Sequence, residues 1–416
     1  MKILLLIIYL LVTAMKFFLD WLNLRHRQQQ HPPLPQAFVG QIDAERMAKS
    51  DAYALAGDKF GFIEDGFGFI VSLLFLFGGI LPWYDNWASE AASGFVANGL
   101  LFFGLLLLVQ MLLGVPFSLY RNFVLEEKFG FNKMSFRLWC VDTIKSLLIG
   151  GALFVVLAGG ALWLVNKAPQ SWWLWVWGFW GGMTLFLMYV SPYLIEPLFF
   201  KFSPLEKESL EDGVRELLDK AGVKAGKVLQ VDASRRSGHS NAYFTGIGKV
   251  KRVVLFDTLM EQLEDKELLA VLAHELGHWR CGHIRKRLIK SQLVALFSCL
   301  VAFKLLNADW LPGLLGLEQL SFAGRVLLLG WLASLLSFFW TPISSWFSRR
   351  DERQADQFAI DLVGSGRELA SGLVKLAREN LSSLFPHPLY VAIYYSHPDL
   401  VTRVKWLEGR KPSQAK

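Results

Sequence analysis

The 416 residues are 53% hydrophobic and 14% aromatic, with 33 Phe and 16 Trp, while charged residues make up 19% against about 25% in an average soluble domain. This balance excludes a disordered or wholly soluble chain and points to repeated membrane crossing. The formal charge of +7 sits on basic residues gathered in alternate loops, so membrane orientation accounts for it and no nucleic-acid surface is expected.

Apolar runs predict spans at Ile3 to Leu22, Phe67 to Trp83, Phe95 to Leu119, Leu147 to Val165, Trp172 to Val190, Leu293 to Leu306 and Val326 to Trp340. Several approach the ~20 residues a bilayer requires. The first continues through Phe17-Phe18-Leu19 without an A-x-A-like cleavage site, so it is expected to remain as an uncleaved span. Lys16 within it costs about 3 kcal/mol at the bilayer centre unless it snorkels or faces a polar interior. The sixth run is short, at 14 residues. Trp83, Tyr84, Trp172 and Trp173 fall at span ends, where interfacial aromatics belong.

The loops test this count. Arg25, Arg27, Arg46, Lys49 and Lys59 follow the first span, and Arg121, Lys128, Lys133, Arg137 and Lys145 follow the third. The connections after the second, fourth and sixth are poor in Lys and Arg. An N-terminus outside and a functional region on the cytoplasmic side are expected. The chain ends Lys411 to Lys416 without a Lys-Lys or Lys-Asp-Glu-Leu retrieval signal, which favours a bacterial inner membrane over an endoplasmic one. Cys140, Cys281 and Cys299 are scattered and without C-x-x-C spacing, so no disulfide framework is expected.

Between the fifth and sixth spans the composition turns polar. Ser209 to Ala221 reads as an amphipathic helix, and Val228 to Asp232, Ala242 to Thr245 and Val250 to Phe256 read as strands, with a turn at Gly246 to Gly248. Glu264 to Ala273 then leads with good helix formers into His274-Glu275-Leu276-Gly277-His278. Residues four apart share a helix face, so His274 and His278 can reach one zinc ion while Glu275 lies beside them as a general base. Gly277 leaves room for close packing despite costing about 1 kcal/mol in a helix.

A catalytic zinc site takes three protein ligands and leaves one position open, so a third ligand is needed. Cys281 lies about 10 Å along the axis from His274, too far for one ion, and His283, nine positions on, is expected on the opposite face. The better candidate lies in Arg349 to Ala359, where Glu352 and Asp356 share a face. Glu352 would ligate the metal, and Asp356 would hold a ligand histidine by its second ring nitrogen. Spacing alone leaves Asp351 open as well, and the alternative is a solvated, charged helix start. His26, His31, His239 and His387 lack ligand spacing and receive no role.

Five stretches, in order, resemble the type I CAAX prenyl proteases, which are integral-membrane zinc endopeptidases. They are Tyr120 to Asn132, Ser240 to Gly246, the His274 to His278 motif, Glu352-Arg353-Gln354-Ala355-Asp356, and Tyr395 to Arg403 with its Ser-His-Pro. The resemblance implies a multi-pass α-helical membrane protein of about seven spans enclosing a chamber, with an inserted α+β zinc-peptidase domain. It implies Glu352 as third ligand, and Asn241, Ala242 and Tyr243 as a strand edge that receives an extended peptide. The same Asn and Tyr could merely cap a hairpin. It also implies His397 as a donor near the catalytic centre with Arg403 as supporting charge, although a His before Pro398 taken alone is a turn residue. The implied substrate is a peptide ending in a prenylated C-a-a-X sequence, cut to release its last three residues.

The expected partners are therefore a peptide or lipidated peptide and the bilayer. The chain divides into 1–200, a membrane region of about five spans; 201–290, the α+β insert; 291–347, two further spans; and 348–416, a helical part completing the metal site. Two other readings compete. One is a quality-control protease of the heat-shock HtpX type, which is shorter with fewer spans. The other is a non-catalytic membrane chamber or carrier with a structural metal, against which stand the intact Glu275 and only three candidate ligands.

Overall fold

A computed structural model describes residues 1–29, 32–223, 226–245 and 252–413. Among them, seven helices are long and apolar enough to cross a membrane: Lys2–Arg27, Ala44–Phe77, Phe95–Phe129, Phe136–Lys167, Trp172–Phe199, His283–Leu306 and Phe322–Val363. The number matches the expectation, and the boundaries differ for local reasons. The second helix starts at Ala44, where the Asp43 carboxylate accepts from the Arg46 amide at 2.7 Å and caps the first turn. It ends at Phe77 because Gly78 and Gly79 follow, the latter at φ 88°. The expected run Phe67 to Trp83 therefore straddles a break, and Trp83 belongs to a separate helix, Ile80–Ala91. Arg46, Lys49 and Lys59 ride on the second helix rather than in a loop.

The sixth span is not short. Its helix begins ten residues before the apolar run, at His283, and reaches 24 residues. The seventh has 42 residues, about 63 Å at 1.5 Å per residue, roughly twice the ~30 Å hydrocarbon layer. Its polar C-terminal part, which carries Glu352 and Asp356, projects past the apolar run Val326 to Trp340. Lys16 stands 5.9 Å from the Phe338 ring of this helix, so its charge meets an aromatic face.

The two sets of connections gather at opposite ends. At the end poor in basic residues, Leu81, Tyr84, Trp172, Leu306, Leu311 and Leu320 form one buried cluster. At the other, Arg46 donates to the Arg378 carbonyl at 2.9 Å and pairs with Glu379 at 3.0 Å, and Arg236 pairs with Asp142 at 2.9 Å. These contacts dock the basic connections onto the polar half of the chain.

That half contains a four-stranded sheet in the order β1-β2-β4-β3, with β1 Phe202–Pro204, β2 Lys227–Val231, β3 Ala242–Thr245 and β4 Arg252–Phe256. β2 and β4 are parallel; the outer pairs are antiparallel. β1 was not expected from the sequence, since three residues containing Pro204 carry no alternation, and a Pro is tolerated there because the strand is an edge. The expected turn at Gly246 to Gly248 lies outside the described residues. The amphipathic helix Glu208–Lys220 buries Leu210, Val214, Leu217 and Leu218 against the same core as Leu272 and Leu276 of the motif helix, Asp265–Arg280. Each such side chain contributes about 1.5–3 kcal/mol. Phe38 and Ile42, from the connection after the first span, join this core and fasten the two halves together.

Candidate active site and metal centre

The motif helix opens with a capping box, Glu264 and Glu267 each bonding the other's backbone, and Ser371 and Lys375 hold Glu267 from the helix Arg367–Glu379. Its central contact is with the projecting part of Phe322–Val363. A Cβ on Gly277 would lie 2.8 Å from the Ala355 Cα, so only glycine permits this approach of the two helices. The close crossing brings the spaced pairs His274/His278 and Glu352/Asp356 face to face.

His274 Nε2 lies 3.3 Å from His278 Nε2 and 3.3 Å from Glu352 Oε2, and His278 Nε2 lies 3.2 Å from Glu352 Oε1. The three side chains are gathered closely enough to hold one metal ion. Tetrahedral bonds of about 2.0–2.1 Å separate ligand atoms by about 3.3 Å, which these distances match. Glu352 is 3% exposed, and its Oε2 has no hydrogen-bond partner among the described residues. A buried carboxylate oxygen with no donor, facing two imidazole nitrogens, is stabilised by a cation at their common centre. The donor set therefore fits a divalent metal of the imidazole–carboxylate class.

Around these three, His274 donates through Nδ1 to Asp356 at 2.8 Å. Arg403 donates to both Asp356 oxygens at 2.9 and 2.6 Å, and its Nη2 stands 3.7 Å from Glu352. Asp356 is 1% exposed and Arg403 9%, so this is a buried bidentate pair committed to orienting His274. Besides this pairing, Arg403 Nη2 lies 3.2 Å from both ring nitrogens of His274, so its charge sits beside the group as well as on Asp356. His397, exposed, places Nε2 3.4 Å from Glu352 Oε1, while Ser396 Oγ lies 2.8 Å from its Nδ1. Its loop is set by Arg349, which donates to the carbonyls of Val391, Ala392 and Tyr395. Burial pushes the Glu275 carboxyl above the ordinary glutamate value, with the fields of His274 and His278 pulling the other way.

Asp351 is not the third member. It turns toward Arg287, at 3.4 Å, and away from the His274–His278 pair. Asn241, Ala242 and Tyr243 lie at the start of β3, an edge of the sheet that packs against the motif helix. Ala242 is buried, Asn241 is exposed with its side chain bonded to the Ala242 amide at 2.8 Å, and Tyr243 donates to Glu196 at 3.0 Å. Burial, then Glu196, raises the Tyr243 hydroxyl pKa, so it stays protonated as that donor.

Two histidines differ from expectation. A continuous helix would put His283 on the opposite face, but the motif helix stops at Arg280 and Gly282 takes φ 71°, so the phase is lost. His283 turns back, 1% exposed, with Nδ1 3.1 Å from His278 Nδ1. The Gly after the motif was the available signal. His239 received no role, yet it stacks on Phe131 at 4.1 Å and meets Glu126 at 3.2 Å, with Tyr53 donating to the same Glu126 at 2.8 Å. It ties the segment just before β3 to the membrane half, a contact between distant residues that leaves no local signal.

Seven candidate membrane spans among the described residues and a His-His-carboxylate group, its histidines on the motif helix and its carboxylate on the last span helix, define an integral-membrane metallopeptidase. Residues 23–201 match the family model described as CAAX prenyl protease N-terminal, five membrane helices, and residues 204–411 match Peptidase family M48. A CAAX prenyl protease 1 homolog of Arabidopsis thaliana is 35% identical over 96% of each chain, and CAAX prenyl protease 1 of Saccharomyces cerevisiae is 34% identical over 92% of this chain and 91% of its own. The crystal structure of Ste24p from S. mikatae superposes with a TM-score of 0.90 at 32% identity, covering 98% of both chains. The chain belongs to peptidase family M48 and is an integral-membrane metalloendopeptidase.

Proposed function

We propose that the metal is zinc, held by His274, His278 and Glu352, and that the enzyme removes the C-terminal tripeptide from prenylated CAAX-type substrates at an enclosure formed by its span helices. The observation that carries the reading is the convergence of both imidazoles and Glu352 at 3.2–3.3 Å about one point, within a chain that matches CAAX prenyl proteases over nearly its whole length. Zinc at that point supplies Lewis acidity toward the scissile carbonyl and lowers the pKa of a water toward ~7.

The protein's own groups do the rest. Asp356, fixed by Arg403, takes the Nδ1 proton of His274 as a hydrogen bond and so leaves Nε2 as a lone pair facing the centre. Glu275 removes the proton from the attacking water and delivers it to the leaving amine; its raised pKa suits both transfers near neutral pH. His397, beside Glu352, donates to the developing oxyanion. The substrate backbone adds to the outer edge of β3 and is held in register beside the motif helix.

In this proposal the chain divides at residues 200, 290 and 347, with the last helical part completing the metal group. The alternation of basic connections supports an N-terminus outside and a cytoplasmic active site, which a reporter fused after Lys416 tests: an external signal overturns the orientation. For function, a farnesylated C-a-a-X peptide and its unprenylated twin are offered to detergent-purified wild type and Glu275→Gln, with and without a zinc chelator. Chelator-sensitive, Glu275-dependent release of the last three residues from the lipidated peptide is expected. Equal cutting of both peptides rejects prenyl specificity, and no cutting of either rejects the substrate class.

A further inference from the structure

His278 and His274 face the same centre but are supported differently. For Nε2 of His278 to present a lone pair there, its proton must sit on Nδ1, and Nδ1–H needs an acceptor. The neighbour at 3.1 Å is the Nδ1 of His283, which accepts only when its own proton sits on Nε2. The surroundings favour that tautomer: His283 Nε2 lies 3.0 Å from Gln354 Oε1 and 3.8 Å from Asp351 Oδ1, two acceptors on one side, and Arg287 holds Asp351 in place. His283 is 1% exposed, so water does not substitute for these partners.

We propose that His283 is a positioning residue for the metal ligand His278, through the relay Gln354, His283, His278, and that it sets the tautomer and ring orientation of that ligand. The inference rests on the reading of His274, His278 and Glu352 as the metal site. Each end of the site then has its own support. Asp356 orients His274 with a charged acceptor, and His283 orients His278 with a neutral one. Gln354 and Glu352 lie two apart on one helix, so the helix that carries the third ligand also anchors the relay to the second.

The test is the zinc dissociation constant of the full-length protein in detergent, measured by competition with a chromophoric chelator. The visible spectrum of the cobalt-loaded form and the melting temperature of the metal-free form are recorded alongside. His283→Phe keeps the ring volume and removes the acceptor; its expected effect is about 10- to 100-fold weaker zinc binding and an altered cobalt spectrum. The metal-free melting temperature should move little. His283→Gln, whose amide oxygen can accept from His278, should restore part of the affinity. Gln354→Ala, at an exposed position, probes the relay without disturbing the core and should weaken binding severalfold. Unchanged affinity and spectrum in both Gln354→Ala and a folded His283→Phe overturn the proposal; if His283→Phe does not fold, the same result in Gln354→Ala and His283→Leu, which also lacks an acceptor, does so. His274→Ala separates the two levels: if it binds zinc as tightly as wild type, the metal site itself is misassigned, whereas its loss with unchanged His283 and Gln354 variants rejects the relay alone.

Discussion

Two buried carboxylates bracket the helix Phe322–Val363, and each is 3% exposed: Asp85 at its N-terminal end and Glu352 in its projecting part. Asp85 accepts from the Ser321 amide at 2.7 Å and from the Ser321 hydroxyl at 2.5 Å, while Ser321 in turn caps the helix at Gly324. A Cβ on Gly324 would lie 2.6 Å from Asp85, so glycine makes room for one carboxylate just as Gly277 makes room for the crossing that buries the other. Asp85 has both oxygens satisfied by its own chain. Glu352 has one oxygen without a donor and faces two imidazole nitrogens instead. Equal burial thus has two meanings: a carboxylate completed by the protein is a joint, and one left incomplete where donors converge is a binding centre.

This contrast can be broken at either end. The largest effect is expected for Glu352→Ala, which removes the proposed third metal ligand: zinc content by atomic absorption and peptide cleavage should both fall to background, and retained zinc would move the third-ligand role elsewhere. Glu275→Gln should lower the cleavage rate by about 10²- to 10⁴-fold with zinc content unchanged, since general-base catalysis is lost and no ligand is. Persistent cleavage removes the general-base role. His397→Ala is expected to lower kcat by about 10²- to 10³-fold with little change in KM, as the loss of an oxyanion donor does; a pure KM effect would make it a substrate-holding residue. Asp356→Asn should weaken zinc binding about 10- to 100-fold, read by chelator competition. The smallest change in function belongs to Asp85→Ala. It should cost about 2 kcal/mol of stability by leaving the Ser321 donors unpaired, seen as a lower melting temperature, while zinc affinity and activity per folded molecule stay as in wild type. A loss of zinc there would erase the distinction between joint and centre.

The outer connections make the same point at lower energy. Arg46 with Glu379 and Arg236 with Asp142 dock the membrane half onto the peptidase half, and such pairs, partly open to solvent, contribute about 0–1 kcal/mol each. The apolar contribution of Phe38 and Ile42 to the shared core outweighs them.

Local and periodic features were legible in the chain before folding. Apolar runs gave the number of spans because bilayer thickness sets a length. The His274–His278 spacing gave the metal-binding face because helical pitch sets a period, and Gly277 signalled close packing. Spacing left Glu352 and Asp351 both open: neighbours on a helix point about 100° apart, and the Gly277–Ala355 crossing decides which one meets the imidazoles, in agreement with the family resemblance. The same holds for His283, whose return to His278 depends on a left-handed Gly282 that ends one helix and resets the phase of the next. It holds too for the break at Gly78–Gly79, where backbone conformation rather than hydropathy ends the second span. Pattern fixes which residues share a face, and tertiary packing alone decides what that face meets.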